Sequence, residues 1–324
     1  MLNHIKLYRK WFKTWKSFPV YSWIKAAALY SNGRYQEAAE QYRHGIARHP
    51  NHPAGHCARL DLSYCLFRTG KLKEAEKELL QVTSNLPQSR EGFLRLARLQ
   101  IWTGRSLEAA WTIRRALRTI PADAELAGTY LFAVLENGGP AFLLQEAVKT
   151  LKLVDKTGAS DPRLEAARAR LMMRRGQYDQ GRKKLEEIVS GEEISFEALL
   201  LFAQVLLEED KIARARRELR RALKAVPNHP RVLSLLAESY LKAGPFYNPG
   251  FALQNATKAC QHSGWISPRE MHILAEAYYH NNDRISALLV ASKARDEGSR
   301  LLGEYPGVKN LDRLIESLSS GTQA

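Results

Sequence analysis

The chain has 324 residues, 45% hydrophobic and 26% charged, with a formal net charge of +15 and a pI near 9.7. That apolar content suffices for a continuous core, but no stretch approaches the roughly 20 apolar residues of a bilayer-spanning helix. Three cysteines, Cys57, Cys65 and Cys260, lack metal or redox spacing, which excludes a disulfide-stapled scaffold and fits a reduced compartment.

The charge is uneven from the first residues onward. Residues 1–36 carry seven Lys or Arg and no acid, and residues 211–224 carry seven bases against Glu218 alone, so two segments hold +13 of the total. In the first, Lys6, Arg9, Lys10, Lys13 and Lys16 alternate with Ile5, Tyr8, Trp11, Phe12, Trp15 and Phe18. At about 100° per residue this separates a cationic face from an aromatic one, predicting an amphipathic helix over residues 1–18. Two readings follow. The helix caps the array behind it, burying its rings against Trp23 and Tyr30. Alternatively it lies on anionic lipid or on a partner, using Lys6, Arg9, Trp11, Lys13, Trp15 and Lys16. The segment has neither the apolar run nor the small-residue cleavage site of a signal peptide, so a cytoplasmic protein is expected, with peripheral membrane contact through this head as the variant.

From residue 19 the chain repeats. A turn residue tolerant of left-handed backbone recurs as Gly33, Gly70, Gly104, Gly138, Gly176, Asp210, Gly244 and Asn282, at spacings of 37, 34, 34, 38, 34, 34 and 38. Seven residues before it stands a small residue (Ala26, Ser63, Ala97, Ala169, Ala203, Ala237, Ala275), with Leu131 breaking the run in the fourth repeat. A second small residue follows it, as at Ala38, Ala75, Ala109, Gly181 and Ala215. Helices cross closely only where side chains are small, so the two positions predict a helix pair around each turn. Pro19, Pro162, Pro230 and Pro268 open first helices, while Pro50, Pro87, Pro121 and Pro227 close second ones. Pro50-Asn51-His52-Pro53 returns as Pro227-Asn228-His229-Pro230, which predicts one turn written twice. Repeats four and seven are longer, with extra residues at Gly138-Gly139-Pro140 and at Pro245 to Gly250. Leu311, Leu314, Ile315 and Leu318 predict a last short helix.

This arrangement of small residue, glycine turn, small residue and closing proline resembles the tetratricopeptide repeat, over roughly residues 19 to 300. The resemblance implies an all-α fold, a right-handed α-solenoid of about eight helix–turn–helix repeats starting near 19, 56, 90, 124, 162, 196, 230 and 268. The expected divisions are a head at 1–18, the solenoid at 19–302 and a capping helix and tail at 303–324. It also implies a non-catalytic scaffold or adaptor that binds partner proteins in a groove lined by first helices. Carrying the family's groove positions onto this chain gives Trp23, Tyr30, Tyr64, Phe67, Arg98, Ile101, Trp102, Arg170 and Arg174, with Arg68, Gln204, Glu238, Lys242 and His272 beside them. An aromatic first third followed by arginines suits a partner with hydrophobic and acidic segments. The Lys/Asn set that grips a chain-terminal carboxylate in chaperone-binding members is not reproduced.

Within residues 211–224, Arg214, Arg217, Arg221 and Lys224 oppose the apolar stripe of their helix, predicting a solvated face. Nucleic acid is the alternative partner for the two basic patches, but this one lacks the interleaved aromatics that stack bases. A regulatory role in an envelope or polysaccharide assembly rests on family analogy alone. His44, His49, His52, His56 and Cys57 crowd one joint without a recognised ligand spacing, so a His-rich surface turn is expected there and no metal or other cofactor. No triad, phosphate loop or convergent carboxylate pair indicates an enzyme.

Overall fold

The computed structural model describes residues 21–320 apart from 137, 139, 193 and 304. The head at 1–18 lies outside the described residues. Among those described there are seventeen helices and no strand. They pair as α1 (Tyr21–Ser31) with α2 (Tyr35–Arg48), α3 (Gly55–Arg68) with α4 (Leu72–Asn85), α5 (Arg90–Trp102) with α6 (Ser106–Thr119), and α7 (Ala124–Glu136) with α8 (Ala141–Asp155). The series continues with α9 (Pro162–Arg174) and α10 (Tyr178–Ser190), α11 (Phe196–Glu208) and α12 (Ile212–Ala225), α13 (Pro230–Leu241) and α14 (Pro249–His262), then α15 (Pro268–His280) and α16 (Arg284–Ser299). Helix α17 (Val308–Ser320) follows. The architecture is an all-α helical-repeat solenoid, in two compact units, Met1–Leu96 and Ala97–Ala324.

Each repeat turn uses the backbone its sequence permits. All eight turn residues take positive φ, from Asp210 at 54° and Asn282 at 63° to Gly244 at 119°. The small positions are where paired helices touch: Ala26, Ala38, Ala75, Ala97, Ala109, Ala169, Ala203, Ala215, Ala237, Ala252, Ala275 and Ala287 are all fully buried. At Gly181 of α10 a Cβ would stand 2.4 Å from the Ala169 carbonyl oxygen of α9, so only glycine allows that crossing. In the fourth repeat Leu131 fills the small position. There α7 lies against α6 and α9 more closely than against its own partner α8.

Capping is selective. Asp161, Ser195, Asn248 and Asp283 each accept a backbone N–H at the start of α9, α11, α14 and α16. Helix α17 buries Val308, Leu311 and Leu318, the first two in one cluster with Ala291, Ala294 and Tyr305.

The repeated tetrapeptide folds in two ways. Asn228 takes φ 61° and Pro230 opens α13 directly, whereas Asn51 stays out of the left-handed region and α3 starts only at Gly55. The extra turn arises because the His52 imidazole Nδ1 accepts the Ala54 N–H at 3.1 Å while its ring meets Trp23 edge-on at 5.1 Å. His229 instead turns inward and is buried.

Candidate functional site

In the first unit, the inner helices α1 and α3 bring aromatic side chains together near their C-terminal ends. Tyr30 lies 5.3 Å from Tyr64 between ring centroids, Tyr35 lies 5.8 Å from Tyr64, and Phe67 lies 6.5 Å from Tyr64. All four rings are partly exposed. The exposed Arg68 guanidinium sits 4.6 Å over the Tyr35 ring and donates to the Tyr64 hydroxyl at 3.0 Å, an arrangement that raises its pKa above the usual guanidinium value. The result is a floor of rings with one held cation, a surface suited to an apolar anchor beside a carboxylate. Trp23, expected on the same face, is fully buried and belongs to the core.

The second unit differs in kind, because its inner helices meet across their own axis. Trp102 at the end of α5 donates from Nε1 to the His262 carbonyl oxygen at 2.7 Å, 160 residues along the chain. Its ring packs 4.8 Å from His229, which also lies 4.6 Å from Phe196. Beside them Glu136, the last residue of α7, is enclosed. Arg269 of α15 donates to its carboxylate at 2.9 Å and to its carbonyl oxygen at 2.8 Å, Arg231 of α13 approaches to 3.4 Å, and the Gln204 amide of α11 donates to the other carboxylate oxygen. The α5–α6 turn seats against the start of α15: a Cβ on Gly104 would fall 2.0 Å from Ser267 Oγ. Third, fourth, sixth, seventh and eighth repeats thus close on one another.

The electrostatics of this closure follow from its burial. Desolvation pushes the Glu136 carboxyl up, but Arg231, Arg269 and the Gln204 amide outweigh it and hold the pKa below the ordinary value. Glu270, one residue beyond Arg269, is buried too, and there desolvation wins over both guanidiniums and raises the pKa. Burial lowers the His229 imidazole to about 3, against the pull of Glu136 and with the help of Arg231. The axis therefore holds one carboxylate shared by two guanidiniums beside a neutral imidazole.

The remaining expected groove residues take separate places in the second unit. Arg98 is exposed and paired with Glu125, which Arg163 also reaches. Ile101 packs against the main apolar cluster of the unit. Arg170 is buried and paired with Glu208; Arg174 is exposed and donates to the Gly138 carbonyl oxygen at 2.6 Å. Partial desolvation and the neighbouring Arg170 lower the Arg174 pKa. Gln204, expected to face a ligand, is held by Glu136. Glu136, Arg231, Arg269 and His229 were not singled out from the sequence. The signal for the two arginines was an arginine directly after a helix-opening proline, at Pro230-Arg231 and Pro268-Arg269, facing one acid on an apolar helix.

The basic helix α12 is only partly a solvated face. Arg214 reaches Glu186 at 2.6 Å, Arg217 and Arg221 share the buried Glu218, and Lys211 pairs with Glu209 at 2.8 Å. The segment itself contains no interleaved aromatic, but rings from elsewhere in the chain lie beside it. Arg216 is buried with its guanidinium 3.7 Å over the Tyr240 ring and 5.1 Å from Phe246, because the long α13–α14 turn folds back onto α12. At the His-rich joint, burial raises the Cys57 thiol to about 11, and no group of three His, Cys, Asp or Glu among the described residues is arranged to hold a metal ion. No helix among the described residues is long and apolar enough to cross a membrane.

A sequence profile of the tetratricopeptide repeat matches residues 29–93 and 172–239. The fold is similar to a tetratricopeptide repeat protein from Parabacteroides merdae, at 14% identity and TM-score 0.50 over 92% of this chain and 97% of that one. It is similar to the Cut9–Hcn1 hetero-tetramer of APC/C, at 12% identity and TM-score 0.67 over 93% of this chain and 63% of that one. Yeast Tom70 matches at 14% identity and TM-score 0.50, over 89% of this chain and 59% of its own. At these identities the likeness is one of fold. No curated protein sequence matches the chain.

Proposed function

We propose that this chain, built of tetratricopeptide-like repeats, is a non-catalytic scaffold that captures partner proteins on the aromatic face of its first unit. The observation that carries this reading is the partly exposed set Tyr30, Tyr35, Tyr64 and Phe67 with Arg68 fixed above it. Rings held against one another present apolar area at little cost in side-chain entropy, and a stacked guanidinium beside them selects a carboxylate. The partner is therefore a segment pairing a hydrophobic anchor with Asp, Glu or a chain-terminal carboxylate. In the second unit the closed axis leaves Arg98 and Arg174 as the exposed members of the expected acid-binding set.

The test is a nuclease-treated pull-down from native lysate with intact protein, a Tyr64→Ala/Arg68→Glu variant and an Arg98→Glu/Arg174→Glu variant. Partners lost from the first variant and kept by the second support the aromatic face. Loss only from the second moves recognition to the exposed arginines. Identical eluates from all three refute the reading.

A further inference from the structure

The second unit carries another surface, built where α12 meets the long α13–α14 turn. That turn is fixed from three sides. The buried Arg216 donates to the Phe246 carbonyl oxygen at 2.9 Å and to the Ser239 carbonyl oxygen at 2.8 Å. Asn248 N–H donates to the Tyr240 carbonyl oxygen at 2.8 Å, while its side chain accepts the Phe251 N–H at 3.0 Å. Asn281, just past the end of α15, donates to the Pro249 carbonyl oxygen at 2.8 Å. Yet the rings of this pinned segment point outward: Phe246 is 42% exposed, Tyr247 43% and Phe251 51%. Phe251 lies 5.6 Å from Tyr240, and Tyr247 lies 5.9 Å from His280, beside the exposed Tyr279. The structure thus holds large rings in solvent, where burial would have stabilised each.

The stretch of chain that carries these rings has charge of one sign. Residues 239–269 contain no Asp or Glu. The Arg216 guanidinium meets neutral partners, namely the Ser239 hydroxyl, two carbonyl oxygens and two rings. Arg220 stands exposed on the same helix, as does Arg217, whose Nε also meets Glu218 at 3.0 Å. A positive field behind exposed flat rings matches a ligand that alternates phosphate with unsaturated planar groups. The first-unit face holds one cation over its rings, whereas here two exposed guanidiniums on α12 accompany three exposed rings, a repetition of charge and ring that fits a strand of alternating phosphates and bases. Bases present free faces only when unpaired.

We propose that α12 and the α13–α14 turn form a platform for single-stranded nucleic acid, with bases stacking on Phe246, Tyr247 and Phe251 and phosphates meeting Arg217 and Arg220. It is separate from the aromatic face of the first unit and does not depend on it.

The experiment uses the full chain and a fluorescein-labelled uridine dodecamer, read by fluorescence anisotropy, with unlabelled polyglutamate as competitor. The intact protein binds, and Phe246→Ala/Phe251→Ala weakens binding at least tenfold, as loss of base–ring stacking implies. Arg220→Glu weakens binding and reduces the slope of log affinity against log salt by about 0.7 for each phosphate no longer neutralised. Phe246→Leu/Phe251→Leu keeps apolar bulk without a ring face, so it must lose affinity too, and a melting curve matching the parent separates that loss from misfolding. Unchanged binding by both ring variants overturns the proposal, whether the cations elsewhere or the head then hold the strand. Displacement by polyglutamate at equal charge concentration, with only Arg220→Glu affecting affinity, overturns it in favour of an acidic protein partner.

Discussion

Replacing Glu136 with Gln is the sharpest test of the closed axis, because it removes one charge and almost no volume. In the parent the carboxylate is 4% exposed and faces Arg269 and Arg231, whose side chains are 9% and 17% exposed. Neutralising it leaves two guanidiniums close together with no shared counter-charge, and leaves one acceptor oxygen at the position where there were two. Removing one partner of a buried ion pair costs about 3–5 kcal/mol, mostly as desolvation left uncompensated. In a unit of this length each kcal/mol moves the midpoint by about 2–4 °C, so differential scanning calorimetry should show a loss of about 6–20 °C. The loss belongs to the transition of the second unit. A cycle of Glu136→Ala, Arg269→Ala and the double variant should give a coupling of about 1–3 kcal/mol. Replacing the group by apolar residues of similar size, Glu136→Leu/Arg231→Met/Arg269→Met, should recover much of the stability, since no charge is then stranded. A Glu136→Gln midpoint within about 2 °C of the parent would refute the reasoning, because a carboxylate serving two buried guanidiniums cannot be neutralised at so small a cost.

Other outcomes follow from the same geometry. His229 stays neutral in the fold down to about pH 3, while the unfolded chain takes that proton near 6.5, so stability falls as pH drops through this window by about 1.4 kcal/mol per unit; His229→Phe should flatten that limb in melts at successive pH values. Glu136, with its pKa lowered, adds a loss as pH falls through its folded value, whereas Glu270, with its pKa raised, stabilises most at low pH and partly offsets it. Gly176→Ala meets open space and should cost about 1–2 kcal/mol for its left-handed φ alone, while Gly104→Ala adds the clash with Ser267 and should cost a further 1–3 kcal/mol in urea titration. The basic aromatic pattern of residues 1–18 predicts cosedimentation with vesicles containing phosphatidylserine and loss of it in Lys13→Glu/Lys16→Glu; equal pelleting of both proteins would discard membrane contact by the head.

The repeat was legible because its determinants are local. A left-handed turn must be met by Gly, Asn or Asp within the few residues that form it, so eight such positions at a near-constant step reveal eight turns, and Ala169 against Gly181 shows why their neighbours stay small. The closure of the second unit was not legible for the opposite reason. Glu136 and Arg269 are 133 residues apart, and their meeting sums small rotations over several repeats, none of which any one segment encodes. Trp102 and Gln204 therefore occupy expected groove offsets yet hold the protein to itself. His52 and His229 share a tetrapeptide but not a fate, since one rests on Trp23 and the other enters the axis beside Trp102. The rings beside α12 were missed similarly, as Phe246 lies 30 residues from the Arg216 it covers.

A chain of stacked repeats ordinarily tolerates gain or loss of a repeat, because each member knows only its neighbours. Here that freedom is withdrawn from the second unit. Deleting one helix pair between α7 and α15 would carry Arg269 one step out of register with Glu136, and duplicating a pair would overshoot by as much. Repeat number in this unit is consequently a fixed integer set by a single carboxylate, while pairs outside the closure stay open to duplication and loss.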